Sequence, residues 1–137
     1  MDVKKIAVIG AGAMGNGIAQ VGLMAGYTVA MHDVEKRFID RGVNTIKDSL
    51  AKFVGKGKIT AEQNDEMLKR LLPTTDLRAA VNDADLVIEA VFEDLTLKKK
   101  IFTDLDAFAP ERTILASNTS SMSITEIASS TKRPGKV

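Results

Sequence analysis

Three glycines fall at G-x-G-x-x-G spacing in Gly10-Ala11-Gly12-Ala13-Met14-Gly15, and Asp33 follows eighteen residues after the last of them. Between a strand and a helix, such glycines serve a pyrophosphate. The first permits a tight turn, the second lets the backbone approach the phosphates, and the third lets helix and strand pack closely. The helix N-terminus then points its amides at the negative charge. An acid at the end of the second strand accepts both ribose hydroxyls and repels a 2′-phosphate, so Asp33 favours NAD over NADP. Lys36 and Arg37 just beyond it weaken that preference, since a basic side chain there can serve a 2′-phosphate or be solvated surface. A glycine motif alone is common in turns, and it is the surrounding strand, helix and acid that make this one specific.

The remaining candidates are polar groups near expected strand ends. His32 is the chain's single histidine and hence its one neutral-pH imidazole, but at the end of the second strand it lies on the adenosine side, away from a nicotinamide. It reads as a structural residue or a neighbour of the adenine. Ser117-Asn118-Thr119-Ser120-Ser121 follows a strand, where hydroxyls and a carboxamide can bond a substrate oxygen or cap the next helix. Glu89 lies inside an apolar run and Glu93 just past it. Lys98 is spaced to pair with Glu93, while Lys98-Lys99-Lys100 also suits the wet face of a helix. Ser49, Lys52 and Lys56 share one helical side, able to grip an extended anion or simply to be solvated.

These groups need a frame, and alternating elements supply it. Ile6-Ala7-Val8-Ile9 reads as a strand buried on both faces. A helix follows from Met14, with Ile18, Val21, Gly22 and Ala25 on one side, then Gly26 and a second strand over Tyr27-Thr28-Val29-Ala30-Met31. Ile39, Val43, Ile46, Leu50, Phe53 and Val54 mark one long amphipathic helix, ended by Gly55 and Gly57. Thr60-Ala61-Glu62-Gln63 is a capping box opening a helix on Met67, Leu68, Leu71 and Leu72, which completes a helical hairpin over about 36–72. Later strands are expected at Asp85–Val91 and Thr113–Ser117, with a helix on Leu97, Ile101, Phe102, Leu105 and Phe108 between them. A short helix follows at Ile124–Ala128, then a turn at Pro134-Gly135 and the start of a strand at Lys136-Val137. The expected fold is α/β, a Rossmann-type doubly wound parallel sheet with a long helical hairpin after the second strand.

With 137 residues the chain fits one domain, and 19 basic against 18 acidic residues give +1, so no global field attracts nucleic acid or a membrane surface. The absence of cysteine excludes disulfides and thiolate ligands, no metal site is expected, and a reducing cytoplasmic setting fits. The first apolar run is too short for a signal peptide or a membrane span.

Taken together, G-A-G-A-M-G, Asp33, the long hairpin, D-L-V-I-E-A-V-F-E and A-S-N-T-S-S-M-S-I-T-E-I-A resemble the N-terminal domain of the 3-hydroxyacyl-CoA dehydrogenases, most of all the bacterial 3-hydroxybutyryl-CoA dehydrogenases. The similarity runs from about Lys4 to Val137. It implies hydride transfer between NAD(H) and an (S)-3-hydroxyacyl-CoA/3-ketoacyl-CoA pair such as 3-hydroxybutyryl-CoA and acetoacetyl-CoA. Carried over by motif, Ser120 contacts the substrate oxygen, Asn118 lies near the nicotinamide, Glu93 and Lys98 line that end of the cofactor, and Ser49 and Lys56 meet the CoA portion. The family's catalytic His-Glu pair and its helical substrate and dimerisation domain are expected beyond Val137. The chain alone is therefore expected to bind cofactor without turnover, in a whole protein that is a homodimer. Two other readings stay open: a stand-alone NAD-binding sensor, and another β-hydroxyacid or sugar-nucleotide dehydrogenase sharing G-x-G-x-M-G.

Overall fold

The apolar run Lys5–Ile9 forms β1, which lies at the centre of a five-stranded sheet of order β3-β2-β1-β4-β5. The computed structural model describes residues 2–91, 94–119 and 123–137. Around β1 stand β2 (Thr28–His32), β3 (Leu71–Thr74), β4 (Leu86–Glu89) and β5 (Ile114–Ser117), each paired in parallel with its neighbours. The strand order reverses between β1 and β4, which opens a crevice at their carboxyl ends.

Helices cover both faces, as a parallel sheet requires. α1 (Ala13–Met24), α2 (Lys36–Gly55) and α3 (Ala61–Lys69) lie on one side, where Val8, Val29, Met31, Leu23, Ile46 and Leu50 build a core. α4 (Leu77–Val81), α5 (Leu95–Phe108) and α6 (Ile124–Ala128) serve the other, with Ile9, Val87, Phe102, Leu105, Leu115 and Ile127. The expected fold class and the long insertion after β2 are both present. The Thr60 capping box forms in full, its hydroxyl accepting the Gln63 amide at 3.0 Å while Gln63 accepts the Thr60 amide at 2.8 Å.

Several local expectations change. Leu71 and Leu72 belong to β3, not to the hairpin's second helix, which ends at Lys69. Pro73 cannot sit in a helix interior, and an edge strand tolerates it. α4, unmarked by periodicity, is opened by Asp76, whose carboxylate accepts the Ala79 amide. α1 buries Gly15, Ala19, Gly22 and Leu23, leaving Val21 68% exposed, so its core side is rotated from the expected one. Lys136 closes a 3-10 turn over Pro134–Lys136 and does not begin a strand. That segment is pinned by Arg133, whose guanidinium binds Asp106 at 2.6 Å and the carbonyls of Asp106, Ala109 and Thr113.

Candidate functional site

The glycine-rich turn is held from three sides. Gly10 takes φ +111°, a conformation that glycine adopts without strain, and donates its amide to His32 O at 2.7 Å. A Cβ added at Gly10 would lie 2.7 Å from the Ala90 carbonyl oxygen, so the turn sits wedged between the ends of β2 and β4. A Cβ at Gly15 would lie 1.8 Å from Gly10 O, which makes glycine obligatory where α1 meets the turn. Gly12 differs: a Cβ there would meet nothing within 4 Å. Structure therefore does not demand glycine at position 12, whereas a ligand resting on the backbone would. Gly12 is also the N-cap of α1 and offers no side-chain cap, so the first-turn amides, through Ala13 and Met14, face outward without an intrahelical partner. These features fit an NAD pyrophosphate.

Asp33 closes the turn's far side. One carboxylate oxygen accepts the Ala11 amide at 2.9 Å and the other the Val34 amide at 2.7 Å. The acid at the end of β2 thus anchors the turn. Lys36 pairs with Asp40 at 2.9 Å and Arg37 with Glu35 at 2.7 Å, both on exposed surface. Each cation is thus engaged by a neighbouring carboxylate.

His32 is 7% exposed and its Nε2 lies 3.2 Å from the Thr75 carbonyl. Burial lowers its pKa, against smaller raising effects from Thr75, Asp33 and Asp76. The imidazole sits on the β3 side of β1, remote from β4 and β5, as the sequence position implies.

On the side of β4 and β5 the structure decides one of the alternatives for Lys98. Lys98 is fully buried and bonds both oxygens of Glu89 at 2.8 Å; Glu89 is fully buried too. Lys98 is therefore no wet-face residue, and of the two lysines that follow it only Lys100 is exposed. Glu89 also accepts the Val91 amide at 2.6 Å and the Ser117 hydroxyl at 2.6 Å. Asn118 follows β5 directly, is exposed, and donates its amide to Glu89 O at 2.8 Å. Glu93 and Ser120 lie outside the described residues. The carboxyl ends of the strands thus carry the 10–15 turn, Asp33 and Asn118, with Lys98 buried beneath them on Glu89, while Ser49 and Lys56 are elsewhere. Ser49 stands thirteen positions into α2, about 20 Å along the helix axis from its start, and accepts the Gln20 amide at 2.8 Å. Lys52 and Lys56 are exposed beyond it.

Two features were not singled out from sequence. The first is the partnership of Glu89, which a carboxylate at a core-facing strand position signals, because a buried charge requires a counterion. The second is Gly42, where a Cβ would lie 2.7 Å from Ala11 O, so that α2 packs flush against the turn.

Residues 5–137 match the family model described as 3-hydroxyacyl-CoA dehydrogenase, NAD binding domain. The probable 3-hydroxybutyryl-CoA dehydrogenase of Bacillus subtilis is 44% identical over 137 residues, covering 100% of this chain and 47% of that protein. The 3-hydroxybutyryl-CoA dehydrogenase of Clostridioides difficile is 46% identical over 133 residues, covering 97% and 47%. The crystal structure of 3-hydroxybutyryl-CoA dehydrogenase from Escherichia coli superposes with a TM-score of 0.96 at 44% identity, covering 100% of this chain and 29% of that one. The chain spans less than half the length of each. Among the described residues no helix is long and apolar enough to cross a membrane.

Proposed function

This chain belongs to the family of 3-hydroxyacyl-CoA dehydrogenase NAD-binding domains, and from that premise we propose that it binds NAD(H) for hydride exchange with a 3-hydroxyacyl-CoA/3-ketoacyl-CoA pair, of which 3-hydroxybutyryl-CoA and acetoacetyl-CoA are the first candidates. The carrying observation is Gly12, open to a ligand on a turn whose other glycines are closed off by protein. The nicotinamide supplies the hydride chemistry; the chain's own work is to bind and orient. The first-turn amides of α1 receive the pyrophosphate, and Asp33 takes the ribose diol, which favours NAD over NADP. Lys98 and Asn118 flank the nicotinamide side, with Glu93 assigned there by motif. Ser120, by motif, directs a hydroxyl at the substrate oxygen. Ser49 and Lys56 serve the CoA portion, and their separation from the crevice along α2 suits a ligand as extended as CoA.

The described residues place one imidazole, on the adenosine side, so proton transfer at the substrate oxygen calls for a base outside them. We assign that base to a second, helical domain, through which the whole protein dimerises in the cytoplasm. The dehydrogenase names of the relatives favour this reading over a stand-alone sensor. Titrating residues 1–137 with NADH, followed by nucleotide fluorescence, tests it: saturable binding with no acetoacetyl-CoA reduction is expected. Failure to bind NADH overturns the cofactor assignment, and turnover by the chain alone overturns the assignment of the base to a second domain.

A further inference from the structure

We propose that Glu89 is a positioning residue for the nicotinamide half of the cofactor site, acting through Lys98 and Ser117; this rests on reading the crevice as a dinucleotide site.

Val87 and Glu89 lie on the same face of β4, since side chains two apart share a face. Val87 joins the core beneath α5, and two residues later the same register places a carboxylate in fully buried surroundings. Among the described residues, the partners of that carboxylate gather at the carboxyl edge of the sheet. Val91 stands where β4 leaves the sheet, Ser117 is the last residue of β5, and Lys98 lies in the first turns of α5. The Glu89 carbonyl adds the Asn118 amide. One residue thus joins three chain segments around the mouth of the crevice. The next residue, Ala90, places its carbonyl against Gly10, so the same junction abuts the pyrophosphate turn.

Stability does not account for this arrangement. Two buried charges lose their hydration, and replacing such a pair with apolar groups of equal volume is often neutral or stabilising. A charged, multiply bonded carboxylate instead confers fixed geometry. It holds the Lys98 ammonium by both oxygens, and it sets the direction in which β5 delivers Asn118. Both are groups assigned to the nicotinamide side, whereas on the adenosine side the turn is held by the Asp33 carboxylate, which accepts the Ala11 amide.

That asymmetry supplies the test. NADH and ADP-ribose share the adenosine and pyrophosphate, but only NADH carries the nicotinamide. In Glu89→Gln, NADH affinity is expected to fall about tenfold or more, because a hydrogen bond to a charged group is lost, while ADP-ribose affinity changes by less than about twofold. Equal losses for both ligands reveal a merely structural role and overturn the proposal, as does an unchanged NADH affinity. If the wild-type chain binds ADP-ribose as tightly as NADH, the nicotinamide makes no contact to be positioned, and the proposal also fails. If the wild-type chain binds neither, the dinucleotide reading itself fails. Should Glu89→Gln not fold, Ser117→Ala decides: it removes one bond to the Glu89 carboxylate and is expected to show the same selectivity with a smaller NADH loss.

Discussion

The carbonyl oxygen of Gly10 occupies the place where a side chain at Gly15 would begin, 1.8 Å from its ideal Cβ. Gly12, three positions earlier, faces open space. The fold therefore requires glycine at position 15 and leaves position 12 free of any such demand, so a requirement for glycine at 12 falls to a ligand under the proposed reading. Gly15→Ala is expected to destabilise the chain by about 2 kcal/mol or more, as overpacking against backbone does. Gly12→Ala is expected to melt like wild type and to lose NADH affinity by about tenfold or more, because its methyl group stands where the pyrophosphate approaches. Thermal melts and NADH titrations on the two variants separate these outcomes. A Gly12→Ala variant with full affinity would sink the assignment of that surface.

Asp33 anchors the turn, and the proposed reading also gives it the ribose. Asp33→Asn keeps an acceptor for the Ala11 amide and removes the negative charge that repels a 2′-phosphate. NADH binding is expected to weaken by about three- to tenfold, and the ratio of NADPH to NADH affinity to rise. Competition between the two nucleotides measures that ratio directly. An unchanged ratio would remove Asp33 from the choice of cofactor.

The glycine spacing, Asp33, the capping box at Thr60 and the long period of α2 could all be read from sequence because each is a local signal. What could not be read depended on partners far along the chain. Asp85 accepts the amides of Lys4 and Lys5, 81 and 80 residues away in the chain, at 2.8 and 3.1 Å and meets Arg112 at 3.1 Å, tying the starts of β1 and β5 together. β3 was hidden because four residues containing a proline carry no periodicity, and it forms only because β2 offers an edge. Sequence leaves Lys98 between a partner of Glu93 and one of three solvated lysines, and neither reading names Glu89, whose carboxylate it meets. Burial of one lysine among three is decided by the helix's rotation against the sheet, and Leu97, at 36% exposure, faces out where a core position was expected.

His32 makes stability depend on pH. Its folded-state pKa is lowered by burial from an unfolded value of 6.5. The unfolded chain therefore binds more protons just below that value, and stability rises with pH there. The contribution is complete above about pH 6.5 and is lost as pH falls toward the lowered folded value. The Asp85 carboxylate is held below 3.8 by the Lys4 and Lys5 amides, with Arg112 adding to them, so its contribution is lost only in stronger acid. Melting temperature is thus expected to drop between about pH 7 and pH 5.5 in wild type and to be flatter in His32→Gln. Parallel curves for the two proteins would remove His32 as the cause.

Gly42 links the helical hairpin to the cofactor turn. Its missing side chain leaves room for the Ala11 carbonyl, 2.7 Å from the ideal Cβ, and for Met31, whose terminal methyl lies at 3.2 Å. A methyl group at this position forces α2 away from β2 or displaces Ala11, and Ala11 is the residue whose amide Asp33 holds. Gly42→Ala is expected to cost about 1–3 kcal/mol and to weaken NADH binding as well, because the displaced turn no longer presents its amides correctly. Gly55→Ala, at the end of the same helix, is the control: its Cβ would meet nothing within 4 Å. Alanine there is expected to leave NADH binding intact and to change stability by no more than about 1 kcal/mol, toward a gain, as in any helix freed of a glycine. Urea unfolding and NADH titration on both variants decide the matter. A Gly42→Ala protein indistinguishable from Gly55→Ala would mean that the hairpin and the turn are not mechanically joined.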